Sequence, residues 1–84
     1  MAIDKVLIIE VLGVLDGRGD RGRALDGLSD EVGVRLQRPE ITRTLVEKAL
    51  VFARGKGWVQ ERSDEWGEPL WFITTAGSNR QAMM

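Results

Sequence analysis

The opening stretch from Ile3 to Leu15, IDKVLIIEVLGVL, limits the possible folds more than any other part of the chain. Wound as a helix it carries apolar side chains in nearly every direction, interrupted only by Asp4, Lys5 and Glu10, so it must be covered on more than one side. Its Val and Ile content also suits a strand, but the run is long for one and has no turn signal before Gly13. A chain of 84 residues has little other material with which to cover such a helix. Either it is the central core helix, or two copies of the chain associate through it.

The segment Pro39 to Gly57, PEITRTLVEKALVFARGKG, is a second helix of a different kind. At 100° per residue, Ile41, Leu45, Ala49, Phe52 and Ala53 fall on one side with Val46 at its edge, and Glu40, Arg43, Thr44, Glu47 and Arg54 fall on the other. One face packs and one is wet. Pro39 suits a first helical turn, where its missing N–H has no partner to lose, and Gly55-Lys56-Gly57 marks the end.

The 43% hydrophobic content fits one folded domain spanning residues 1–84. With no Cys and no His, the chain lacks disulfides, thiolate zinc sites, thiol nucleophiles and the usual proton shuttle, so neither an enzyme nor a metal or cofactor site is expected. No apolar run approaches the roughly 20 residues of a membrane span. Asp4 and Glu10 stand where a signal peptide needs basic residues first, and we expect a cytoplasmic chain with no membrane partner.

Between the two helices, DGRGDRGR (Asp16 to Arg23) is a loop by composition, more a solvated link than a phosphate cradle, since no Walker spacing follows. Ala24 to Val32 reads as a short helix with Leu25, Leu28 and Val32 on one face and Gly33 ending it. After Gly57, the runs Trp58 to Arg62 and Leu70 to Thr74 flank the polar turn Ser63 to Pro69 and make a hairpin. Thr74 or Thr75 then caps a last short helix, which Gly77 weakens.

The net charge of -1 offers no global attraction to a polyanion, but the charge is unevenly placed. Arg35 to Lys56 holds six basic residues against Glu40 and Glu47. Gly57 to Met84 holds Arg62 and Arg80 against four acids.

Helix, helix, helix and hairpin in this order resemble the winged helix-turn-helix regulators of bacteria and phage, broadly of the PadR and MarR kind. The residues carrying the resemblance are the apolar opening VLIIEVLGVLDG, the step Gly57-Trp58-Val59 after the long helix, and FITTAGSNRQAM after the hairpin. It implies an α+β, mainly α fold: a three-helix winged-helix domain with a two-stranded β-hairpin wing and a short C-terminal helix. It implies double-stranded DNA as partner, a role as transcriptional regulator, most simply a repressor, and a homodimer formed through the N-terminal helix. Three features depart from the pattern, one being that the exposed side of the long helix mixes Glu40 and Glu47 with Arg43 and Arg54. The link from Gly33 to Pro39 is longer than a tight helix-turn-helix, and the wing loop SDEWGEP carries Asp64, Glu65 and Glu68 where a DNA-contacting wing offers Lys or Arg.

In such domains the third helix enters the major groove. Arg43 and Thr44 are then the candidates for base contacts, with Gln37 next; Arg35, Arg38, Lys48 and Arg54 are candidates for phosphate contacts, and Glu47 for accepting from a cytosine amino group. Solvated surface charge is the plainer account of Glu47. The alternative function is a protein-protein interaction module, a phage or bacterial accessory protein that docks a basic partner through its first helix and through Trp66 in the acidic loop. A divalent-ion cluster of Asp64, Glu65 and Glu68 lacks the spacing of a calcium loop.

Overall fold

The computed structural model of the chain describes residues 4–18 and 21–83. Ile3, Gly19, Asp20 and Met84, which the sequence reading placed in the first helix, the loop and the tail, lie outside the described residues, as does the side chain of Arg18. The elements run α1 (Lys5–Arg18), α2 (Leu25–Leu36), α3 (Arg43–Gly55), β1 (Val59–Ser63), β2 (Pro69–Ile73) and α4 (Thr75–Ala82). This is the order and content expected of a winged-helix domain.

Of the two readings of the opening helix, its place is that of the central core helix. Leu7, Ile8, Val11, Leu12, Val14 and Leu15 are all buried, and α2, α3, α4 and β2 each pack against α1. Its apolar directions are met from within the chain, save near its start, where Val6 remains 56% exposed. Leu25, Leu28 and Val32 of α2 complete one side of this core, as their spacing predicts. Val59 and Trp71 of the hairpin close another.

The hairpin strands are each shifted by one residue from the sequence expectation, with Ser63 and Pro69 paired in the ladder rather than in the turn and Trp58 and Thr74 outside it. Three helix boundaries differ as well. First, α1 continues to Arg18, so Asp16 and Gly17 are helical rather than loop. Second, α2 runs through Gly27 and Gly33 and ends only at Gln37, whose φ of 53° is left-handed and whose N–H turns back to the carbonyls of Gly33 and Val34. Third, Pro39 lies in a turn outside α3, which starts after Thr42, whose hydroxyl accepts from the N–H of Leu45 at 3.3 Å.

The hairpin pairs Val59 with Ile73 and Ser63 with Pro69, antiparallel. Arg23 adds to the free edge of β2. Its N–H donates to Trp71 O at 2.9 Å and its carbonyl accepts from Trp71 N–H at 2.8 Å. The side chain of Arg23 is engaged within the fold too, donating to Gly27 O at 3.3 Å and pairing with Glu31 at 3.4 Å. The chain reverses into α4 at Thr74, which caps it by accepting from Gly77 N–H at 3.0 Å and donates its own hydroxyl to Gly57 O at 2.6 Å. Gly77 is therefore a packing residue as well as a weak helix former. A Cβ there would overlap the carbonyl oxygen of Trp58.

Candidate nucleic-acid interface

The inward face of α3 is set by Val46, Ala49, Leu50 and Ala53, all buried. This corrects the phase read from the sequence: Val46 is central rather than marginal, Leu50 is fully buried, and Leu45 is 38% exposed rather than inward. The opposite face consists of Thr44, Lys48 and Val51, flanked by Glu47, Arg43 and Arg54, and all six are exposed. Val51, 48% exposed in the middle of this polar surface, is a residue the sequence expectation does not name, although the 100° repeat places it between Glu47 and Thr44 on the outward side. The hairpin supports the far end of α3: Arg54 pairs with Glu61 of β1 at 3.4 Å, and its guanidinium carbon stands 5.6 Å from the ring centre of Trp71.

Most candidate cations are held by carboxylates of the same chain. Arg43, the first residue of α3, meets Asp26 of α2 at 3.0 Å. Arg35 meets Glu10 of α1 at 2.7 Å and Glu31 at 3.9 Å. Arg38 bridges Asp4 at 3.0 Å and Glu40 at 2.8 Å. Arg35 and Arg38 thus turn toward α1 and are not gathered onto the outer face of α3. Among the described residues, Lys48 is the cation at the middle of that face with no ion pair. Gln37 is exposed at the end of α2, beside a shallow groove that Val34, Pro39 and Ile41 also line.

The Arg38 cluster perturbs its own titration. Asp4 is held below the usual aspartate range first by the N–H of Leu7, which it caps at 3.1 Å, and then by the Arg38 guanidinium. Glu40 is lowered chiefly by its hydrogen bond from Arg38, and Arg38 is raised by the same two partners, Glu40 first. The charge is spent on joining the start of α1 to the segment between α2 and α3.

At the tip of the wing, Asp64 is a structural residue. Its Oδ1 accepts from the N–H groups of Trp66 and Glu68, both at 2.8 Å, while its N–H donates to Glu68 O at 2.8 Å and Gly67 takes a φ of 80°. The turn is thereby closed by its own acid, with Glu65 and Glu68 pointing no charge inward. Trp66 stands 81% exposed at the apex and does not fold back on the hairpin. Among the described residues no group of acids is placed to hold a metal ion, and no helix is long and apolar enough to cross a membrane.

The architecture is shared with solved structures. A MarR-family transcriptional regulator from Silicibacter pomeroyi superposes with a TM-score of 0.74 at 16% identity, covering 94% of this chain and 50% of its own. SSV1 F-93 gives a TM-score of 0.74 at 22% identity, covering 92% of this chain and 79% of its own. A putative DNA-binding protein from Ralstonia eutropha JMP134 gives 0.71 at 19% identity, covering 98% and 96%. The chain spans half the length of the MarR-family regulator. No protein-family model and no curated protein matches the sequence. These likenesses establish the winged helix-turn-helix fold.

Proposed function

We propose that this chain binds double-stranded DNA in a sequence-specific manner through the outer face of α3 and acts as a transcriptional regulator, in the simplest case a repressor, in the cytoplasm of a bacterium or of a cell hosting a phage. The observation that carries this reading is the third helix itself. Its buried face is complete in Val46, Ala49, Leu50 and Ala53, and its other face is left open beside a hairpin. A helix so mounted fits a major groove, with its N-terminal residues nearest the base edges.

In this reading Arg43 and Thr44 contact bases, Gln37 reaches the flanking backbone or base edge, and Val51 packs on a thymine methyl. Lys48 and Arg54 meet phosphates, Arg54 by exchanging Glu61. Arg35 and Arg38 contribute only where a phosphate displaces their carboxylates, and Glu47 is available to a cytosine amino group. A homodimer would place two such helices on successive half-sites, and the uncovered start of α1 around Val6 is where we place its contact. The names of the solved structures, a transcriptional regulator and a putative DNA-binding protein among them, support DNA as the partner.

The test is selection from a randomised duplex library at several salt concentrations. We expect an enriched sequence whose affinity falls with salt, with Arg43→Ala flattening the preference and Lys48→Ala weakening all sequences alike. A library that enriches nothing would sink the proposal.

The exposure of Trp66 on a closed acidic turn favours a second reading, a protein-protein interaction module docking a basic partner at the wing. Trp66→Ala should then abolish capture of that partner without lowering thermal stability, and unaltered capture counts against it.

A further inference from the structure

We infer that Asp26 is a positioning residue for base recognition, acting through Arg43; this rests on the DNA-binding reading above. Its carboxylate, in the first turn of α2, stands 3.0 Å from Nε of Arg43, the first residue of α3. Two observations converge on it.

The first is that Arg43 occupies a position helix stability does not explain. The N-terminal end of a helix carries the positive end of the macrodipole, where an acid is favoured and a cation disfavoured. The first turn of α3 contains no acid, and it begins with arginine. The missing negative charge comes instead from the neighbouring helix, through Asp26.

The second is the exposure of the pair. The side chains are 66% exposed for Arg43 and 74% for Asp26, so the contact excludes no water and joins no core. An exposed pair of this kind adds little to folding. What it does is choose where a long side chain points. Arginine on a DNA-binding face has two destinations, the phosphates, which carry no sequence, and the base edges, which do. A carboxylate that partly neutralises Arg43 lowers its pull toward phosphate while its planar fork stays suited to two hydrogen bonds on guanine. Asp26 therefore trades affinity for discrimination.

The experiment compares wild type, Asp26→Asn and Asp26→Glu by the same duplex selection, with the salt dependence of binding and the melting temperature measured on each. Asp26→Asn should bind random duplex several-fold more tightly and steepen the slope of log affinity against log salt by about 0.9, the increment for one added phosphate contact. It should also flatten the preference at the base position that Arg43→Ala flattens, leaving the other positions as they were. Asp26→Glu, which keeps the charge, should restore that preference. If Asp26→Asn selects the wild-type sequence with the wild-type slope, or loses only melting temperature, Asp26 serves α2 alone and the inference is overturned. A wild-type chain that enriches no sequence overturns the DNA reading and this inference together, whereas wild type and Asp26→Asn behaving alike in a successful selection overturns only this one.

Discussion

Gly77 of α4 lies against the carbonyl oxygen of Trp58 with no room for a methyl group between them. Intrinsic helix propensity favours alanine over glycine by about 1 kcal/mol, so a helical glycine replaced by alanine normally stabilises. Here the steric term opposes it, because the obstructing atom is backbone. We expect Gly77→Ala to cost about 1 to 3 kcal/mol. Gly33, inside α2 with open space where its Cβ would be, should show the opposite sign, a gain of about 0.5 to 1 kcal/mol for Gly33→Ala. Chemical denaturation of the two variants checks both.

The phase of α3 can be tested in the same way. Leu50 is fully buried and Leu45 is 38% exposed. Leu50→Ala should lose about 2 to 5 kcal/mol through lost burial and the cavity left behind, and Leu45→Ala well under half of that. Equal losses would mean that both leucines reach the core.

The wing turn separates architecture from surface. Asp64→Ala removes the acceptor shared by the N–H groups of Trp66 and Glu68, and should cost about 1 kcal/mol, or about 4 to 8 °C in Tm for a domain of this size. Trp66→Ala removes an exposed ring and should leave Tm unchanged. Differential scanning calorimetry distinguishes the two.

Acid sensitivity follows from the Arg38 cluster. Asp4 and Glu40 both titrate below their ordinary range in the folded chain, so the unfolded chain binds protons more readily as pH falls. Their contribution is present above about pH 5, near and above the ordinary carboxylate range, and is lost as pH drops through the lowered folded values. All three groups are solvent-accessible, which keeps the effect small. Asp4→Asn should unfold more easily at neutral pH and lose less stability between pH 5 and pH 3 than wild type, as urea midpoints across that range will show.

If the outer face of α3 meets phosphate through Lys48, Lys48→Ala should reduce the slope of log affinity against log salt by about 0.9 and leave the selected sequence unchanged. Fluorescence anisotropy with one fixed duplex measures the slope directly.

The sequence carried the element order because its signals were local. An apolar helix with charges at Asp4, Lys5 and Glu10, a polar turn between Arg62 and Leu70, and a threonine ahead of a short helix each act within a few residues. The phase of α3 is hidden for a physical reason: Ile41 continues the apolar repeat in sequence but lies before the Thr42 cap, so it does not follow the 100° repeat and shifts the expected face toward Leu45. The end of α2 is not legible locally because glycine is the usual left-handed residue, whereas this helix stops at Gln37 and keeps Gly33 inside. The site was legible only as a set of residue types. Which arginines stand free depends on partners distant in sequence, Asp26 for Arg43 and Asp4 for Arg38, and no local pattern encodes those pairings.

The hydroxyl of Thr74 has a consequence for how the molecule moves. It receives the N–H of Gly77 and gives its proton to the carbonyl of Gly57, so one oxygen atom rivets the beginning of the last helix to the chain leaving the third. Any force that slides the C-terminal helix along its bed must either shear that rivet or tug the trailing end of the third helix along with it.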